Sequence, residues 1–254
     1  MDRPTSRDQF APVASAYLSS DAHKRPDEIA AIVEQFDIGS GWALDVGTGA
    51  GHLAYELARH TEGVVSFDLT PEMLKVVQAE AANLSLANIS LVQGDAEHMP
   101  FKDGTFSGVG CRVAAHHFLH VQNFVKESAR VTVPGGWFLI IDTVSPEEDV
   151  SDKQLNHLET LRDPSHIRNW RPSEWRSMIE SHGMSVVSET LGAKRMDFDA
   201  WLDRMRVGEA ARAEIEPLVW NSENPVHAVV KPATEDGKRM FELPELVMLA
   251  RKLN

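Results

Sequence analysis

Apolar positions recur with two alternating rhythms through the first 143 residues. Between Asp27 and Phe36 they fall at Ile29, Ile32, Val33 and Phe36, one face of a helix. Trp42 to Val46 is a short apolar run ending in glycines, Gly51 to His60 has helical spacing, and Val64 to Phe67 reads as a second buried strand. Pro71 suits the first position of a long helix, with Thr70 as its cap and Met73, Leu74, Val76 and Val77 behind it. Ile89 to Val92, Phe106 to Cys111 and Gly136 to Asp142 supply a third, fourth and fifth strand. A helix over Val121 to Val131 separates the last two and is closed by the turn signal Pro134-Gly135-Gly136.

Strands that alternate with helices predict an α/β fold whose parallel sheet is covered on both faces by right-handed crossovers. After the acidic link Pro146-Glu147-Glu148-Asp149 the rhythm changes. Helices are expected over Ser151 to Leu161 and Ser173 to His182, then a strand over Met184 to Leu191 and a long stretch of helix and loop. The last apolar run, Leu246 to Ala250, suits a strand or a terminal helix, and Pro244 close before it favours the strand. The expected organisation is one domain: an N-terminal helical segment over 1–41, a core over 42–143, and helices with the final strands over 144–254.

Composition narrows the function. Of 254 residues, 43% are hydrophobic, enough for a sizeable core. Acidic residues outnumber basic ones 38 to 25, a formal charge of −13, and no cluster of Lys and Arg interrupts that excess. A polyanion is repelled, so nucleic acid is not an expected partner. Cys111 is the one cysteine, which excludes a disulfide framework or a cysteine-built metal site within the chain and fits a reducing compartment. Neither His-Glu-x-x-His nor a finger spacing occurs, so no metal is expected. No apolar run, Trp137 to Ile141 included, approaches the roughly 20 residues of a membrane-spanning helix, and a cytoplasmic location is expected.

The segment Leu44-Asp45-Val46-Gly47-Thr48-Gly49-Ala50-Gly51 runs from strand into helix. Glycines at 47, 49 and 51 suit a tight turn on which a ligand touches backbone. The spacing is G-x-G-x-G rather than the G-x-G-x-x-G of nicotinamide enzymes. Asp68 ends the second strand, 19 residues after Gly49, where a carboxylate can accept both hydroxyls of a ribose. Asp95 in Gly94-Asp95-Ala96 ends the third, in reach of an adenine amino group. Each acid alone suits a solvated strand end; the sequence glycine loop, acid, acid on successive strands argues for a nucleoside-bearing ligand.

These motifs, together with Thr70-Pro71-Glu72-Met73-Leu74, Gly94 to Phe101 and Arg130-Val131-Thr132-Val133-Pro134-Gly135-Gly136, resemble the ordered motifs of class I S-adenosylmethionine-dependent methyltransferases. The branch is similar to the ubiquinone and menaquinone C-methyltransferases, and the resemblance covers Trp42 to Asp142. It implies a Rossmann-like, doubly wound seven-stranded sheet with its last strand antiparallel and helical insertions. The implied cofactor is S-adenosylmethionine. Asp45, Gly47, Thr48, Gly49 and Gly51 are implied for its methionyl end, Asp68 and Leu69 for the ribose, and Asp95 with Ala96 for the adenine.

Ligands of such sheets lie beyond the carboxyl ends of the strands, and the fourth strand delivers Arg112 to Phe118 there. Arg112 suits the cofactor carboxylate, an acidic substrate, or an ion pair with Glu127 or another surface acid. If a small organic acceptor must lose a proton from oxygen, carbon or nitrogen, His117 or His116 suits that step. His166, in Leu161-Arg162-Asp163-Pro164-Ser165-His166, is either a substrate contact or a loop histidine paired with Asp163. Phe10, Val13, Tyr17 and His23 resemble family segments that fold over the cofactor, with Tyr17 and His23 as substrate contacts; the alternative is ordinary packing on the sheet edge. Trp170, Trp175, Trp201 and Trp220 suit either a substrate pocket or helix cores, and the stretch between the last two strands is the expected substrate cap. A nicotinamide-dependent oxidoreductase and an inactive cofactor-binding regulator are the competing readings.

Overall fold

A computed structural model of the chain describes residues 6–11, 26–36 and 38–254. Two helices, α1 (Ser6–Phe10) and α2 (Pro26–Gln35), precede the sheet. Strand and helix then alternate as β1 (Trp42–Val46), α3 (His52–His60), β2 (Gly63–Asp68), α4 (Pro71–Asn83), β3 (Ile89–Gln93), β4 (Phe106–Arg112), α5 (Val121–Val131) and β5 (Thr132–Thr143). The remainder runs α6 (Asp149–Arg162), α7 (Pro172–Ser181), β6 (Met184–Asp197), α8 (Phe198–Arg204), α9 (Glu209–Trp220), α10 (Pro225–Val230), β7 (Ala233–Glu235) and β8 (Lys238–Lys252).

The strands order as β3-β2-β1-β4-β5-β8-β6 in one sheet. Neighbours from β3 to β5 are parallel, and β8 runs antiparallel to both β5 and β6. The sheet therefore has the expected mixed architecture. The short β7 adds an eighth strand because a tight reversal after Glu235 pairs Ala233–Glu235 with the start of β8.

Both faces are buried, so the strands read as continuous apolar runs whose side chains part by alternation. In β5, Trp137, Leu139 and Ile141 join Ile29, Val33, Leu53 and Leu57 on one face. Phe138 and Ile140 join Phe67, Phe124, Trp175 and Met248 on the other. Trp137 anchors its layer by donating its indole N–H to the Ile38 carbonyl at 2.7 Å. The ring passes so close to β4 that a Cβ at Gly108 would stand 1.9 Å from it, which reserves that position for glycine.

Three expectations change. The turn signal Pro134-Gly135-Gly136 does not end an element: it is taken up as a bulge within β5, between the pairs Phe106↔Thr132 and Gly108↔Trp137. Thr70 does precede α4, yet its side chain caps nothing: its hydroxyl, like its N–H, is turned to the Asp68 carboxylate. The last strands are far longer than Met184 to Leu191 and Leu246 to Ala250. They continue past β5 as a ribbon from Gly192↔Glu245 to Asp197↔Met240. Polar residues on its exposed side hide this length from an apolar-run reading.

That ribbon carries α8, α9 and α10, which close a separate apolar cluster with α6. Leu155 and Leu158 of α6 meet Phe198, Trp201, Ile215, Val219, Val226 and Phe241 there. Where the ribbon leaves the main sheet, Lys194 of β6 and Glu245 of β8 form a buried ion pair at 2.8 Å. Removing one partner of a buried pair strands the other charge, at a cost of about 3–5 kcal/mol, whereas replacing both is far milder. Lys194→Met is expected to destabilise by that amount in chemical denaturation, and Lys194→Met with Glu245→Leu to recover most of it. Equal losses from the single and double variants would contradict this reading of the ribbon.

Candidate active site

A cavity of about 590 Å³ opens at the carboxyl ends of β1 to β4, where it meets the loop after α6. Its size suits a cofactor-scale ligand. The turn from β1 into α3 forms one wall. Gly47, Gly49 and Gly51 have φ of 64°, 52° and 85°, a region that favours glycine. A Cβ at Gly47 would stand 2.6 Å from Ala114, so the turn is wedged against the segment after β4. Among the described residues, nothing but the Gly47 carbonyl, 4.0 Å away, approaches a Cβ built at Gly49. That concave backbone is a cradle shaped for a ligand.

Two carboxylates fix the cradle. Asp68 accepts the Gly49 N–H at 2.9 Å and the Thr70 N–H at 2.8 Å, tying the tip of β2 to the glycine turn. Asp45 is buried and accepts the Thr48 hydroxyl at 2.6 Å. Burial pushes its carboxyl up to about 7, against the Thr48 bond and aided by the charge of Asp68. Burial also raises Asp68. Both groups line the cavity, and both gain from a cation placed there. Asp95 and Ala96 line the far side; Asp95 orders its own turn by accepting the Glu97 N–H at 2.9 Å. Thr48, Leu69 and Arg112 lie in the wall as well. Arg112 is not the partner of Glu127, which is held instead by Arg130 and the Met99 N–H. Its charge acts on Asp45.

The wall facing the glycine turn is built by an unusual backbone. Val113, a β-branched residue, has φ of 53°, and its N–H is held by the Ile141 carbonyl at 2.7 Å. This reversal sends the chain into the short turn Ala115–His117, and both histidines line the cavity. His116 bonds the Asp142 carboxylate through Nδ1 at 2.7 Å, and the same carboxylate accepts its backbone N–H at 3.2 Å. Burial opposes charge on His116, but Asp142 outweighs it and the pKa rises. The pKa of Asp142 falls, since His116 outweighs its own burial. His117 behaves oppositely: burial first, and then the adjacent His116 charge, push it down. With ring centroids 4.2 Å apart, the pair carries one positive charge rather than two. His117 places Nδ1 3.3 Å from both the carbonyl and the hydroxyl of Ser165, and Nε2 3.9 Å from Asp163 Oδ2.

The loop after α6 clamps this turn. Ile167 and Arg168 donate their N–H groups to the His116 carbonyl, and Asp163 accepts both the N–H and hydroxyl of Ser165. His166 does not reach the cavity. It is buried behind His116, ring centroids 5.6 Å apart, with Nε2 bonded to Asn156 Oδ1 at 3.1 Å. Its ring does not line the cavity as a substrate contact would, while its backbone N–H donates to the Asp163 carbonyl at 3.0 Å, the pairing of a loop histidine that orders the turn. Tyr17 and His23, with Val13, lie outside the described residues. The stretch between the last strands is not a cap over this cavity, since none of its residues lines it. The tryptophans are core: Trp175 and Trp170 pack under the sheet, Trp201 and Trp220 in the α6–α10 cluster. Asp142 and Arg162 escaped the sequence reading. The signal for Asp142 was an acid ending an apolar strand at the sheet's carboxyl edge.

Comparison with known proteins decides the family. A methyltransferase-domain model matches residues 44–140. The crystal structure of BH2331 from Bacillus halodurans superposes with a TM-score of 0.84 at 36% identity, over 90% of this chain and all of that one. The chain belongs to the S-adenosylmethionine-dependent methyltransferases. It is 38% identical over 161 residues to the uncharacterized methyltransferase YcgJ of Bacillus subtilis, spanning 63% of this chain and 64% of that protein. It is also 32% identical over 169 residues to a ubiquinone/menaquinone biosynthesis C-methyltransferase of Pseudomonas putida, covering 64% and 65% respectively. The family's cofactor, S-adenosylmethionine, fits the donor set of this methyltransferase: an open glycine cradle beside two buried carboxylates suits a ligand with an ammonium and a sulfonium. Among the described residues, no helix is long and apolar enough to cross a membrane.

The buried carboxyl of Asp45 is expected to make cofactor binding depend on pH. Its folded pKa of about 7 lies above its ordinary value of 3.8, so the folded protein holds this proton more tightly and loses stability as pH rises between those values. A cationic ligand needs the ionised form. Affinity for S-adenosylhomocysteine, measured by calorimetry, is expected to fall by up to tenfold per pH unit below about 7. In Asp45→Asn the profile is expected to be flatter, the affinity lower, and the Tm of the ligand-free protein at pH 8 higher. A flat wild-type profile would contradict the role of Asp45.

Proposed function

We propose that this protein transfers a methyl group from S-adenosylmethionine to a small organic acceptor at oxygen, carbon or nitrogen. The observation that carries the reading is a single cavity with a glycine cradle and acids at one end and an unequally titrating histidine pair at the other. The cofactor supplies a methyl group on a cationic sulfonium, whose departure needs no acid catalysis. What the chain contributes is position and a proton acceptor. The glycine turn and Asp45 hold the methionyl end, Asp68 with Leu69 the ribose, and Asp95 with Ala96 the adenine. Asp68 keeps lone pairs for ribose hydroxyls beyond those given to Gly49 and Thr70.

Across the cavity His117 is neutral at physiological pH, and its Nε2 takes the acceptor's proton as the methyl group is captured, with the Asp163 carboxylate 3.9 Å away to balance the charge that develops. Ser165 fixes the ring by accepting from Nδ1. His116 is the charged member, locked by Asp142, and it keeps His117 in the neutral form. Phe118, Leu119 and Ile167 line the same region and exclude water from the reacting atoms. An interior site of this kind suits a small molecule; a cytoplasmic location accords with the lone, buried Cys111.

Two measurements test the reading. Calorimetry is expected to show stoichiometric binding of S-adenosylhomocysteine and none of NAD; the reverse would overturn it. With an acceptor in hand, His117→Gln is expected to lower kcat by about 10²–10⁴-fold, the usual range for general-base catalysis, with cofactor affinity unchanged. A loss below tenfold would remove His117 from that role.

A further inference from the structure

Asp45 and Asp68 line the cavity beside the glycine turn, and Arg162 and Asp163, at the end of α6, line it with the histidines. Arg162 is the last residue of α6, and its guanidinium is held differently from those of three arginines near it in the fold or sequence. Arg168, Arg171 and Arg239 are each held by two carboxylates. Among the described residues, no carboxylate comes within ion-pair distance of Arg162. Its guanidinium is stacked instead over the buried Trp201 ring, 4.7 Å from the centroid, with Nε donating to the Trp201 carbonyl at 3.4 Å. Of the nearby acids, Asp163 lines the same wall but bonds Ser165 and faces His117 Nε2 at 3.9 Å, and Glu159, one turn earlier on α6, feels the charge of Arg162 without forming an ion pair with it.

A planar cation held by its face and its Nε leaves the Nη edge for a ligand, and that edge matches a carboxylate with two parallel hydrogen bonds. Resting on the methyl-transfer reading above, we propose that the acceptor is a small organic acid whose carboxylate is held by Arg162 on the wall of the cavity that it shares with the histidines. The insertion between β6 and β8 then has a use although it lines none of the cavity. Trp201 of α8, fixed in the cluster with Phe198 and Phe241, is the platform that sets the position of the guanidinium. Arg162 is a specificity residue, acting on which molecule binds rather than on the transfer itself.

The test uses carboxylic acids paired with their own primary amides, which match in shape and differ in charge: 4-hydroxybenzoate, 4-hydroxyphenylacetate and hexanoate. Binding is measured by calorimetry to the full chain saturated with S-adenosylhomocysteine. At least one acid is expected to bind tenfold or more tighter than its amide. Arg162→Gln is expected to erase that preference, Arg162→Lys to keep part of it, and both to bind S-adenosylhomocysteine as the wild type does. If no acid outbinds its amide, or if the preference survives in Arg162→Gln, the proposal fails while the cofactor reading stands. Failure of the wild type to bind S-adenosylhomocysteine would overturn the cofactor reading itself.

Discussion

The site depends on two carboxylates buried where the chain gives them little cationic company. Asp68 spends its oxygens on the backbone of the glycine turn and of Thr70, and Asp45 spends one on Thr48. Hydrogen bonds of this kind soften the desolvation of a charge without cancelling it. The ligand-free protein therefore carries an electrostatic cost at the tips of β1 and β2, and a ligand with positive charge relieves it. Cofactor selection follows from that cost, since the cavity favours a sulfonium and an ammonium over ligands of the opposite sign.

The same logic with opposite outcome governs the far wall. Asp142 lies at the end of β5 and charges His116, and the charge on His116 then keeps its neighbour neutral. Burial of the His117 ring and the charge on His116 together keep one ring neutral beside one that is charged. The segment from Asp163 to Arg168 holds the arrangement still by bonding the His116 carbonyl. Beneath that segment, the α6–α10 cluster supports the end of α6. A region remote from the reacting atoms in this way fixes the geometry of the wall that faces them.

Much of this was legible in the sequence because the central sheet is buried on both faces. Buried strands leave short apolar runs, and the intervening helices leave periodic ones; α5 begins and ends at Val121 and Val131 as its spacing predicts. The glycine turn, Asp68 and Asp95 were legible by their places at successive strand ends. What escaped depends on tertiary contacts. The long β6–β8 ribbon is half exposed, so its outer residues read as loop. His166 looks like a site residue until the fold turns it toward Asn156, and Arg162 looks like an ordinary helix-end cation until Trp201 is placed beneath it. The bulge at Val133–Gly136 shows that a strong turn signal can be absorbed where the neighbouring strand fixes the register on both sides.

The most direct test of the central claim is a crystal structure of the full chain with S-adenosylhomocysteine. The account predicts the ligand in the cavity at the ends of β1 to β4, with ribose hydroxyls on Asp68, the amino group near Asp45, and the sulfur facing the wall formed by His116 and His117. Density for the ligand elsewhere, or in this cavity with the ribose turned away from Asp68, would contradict it.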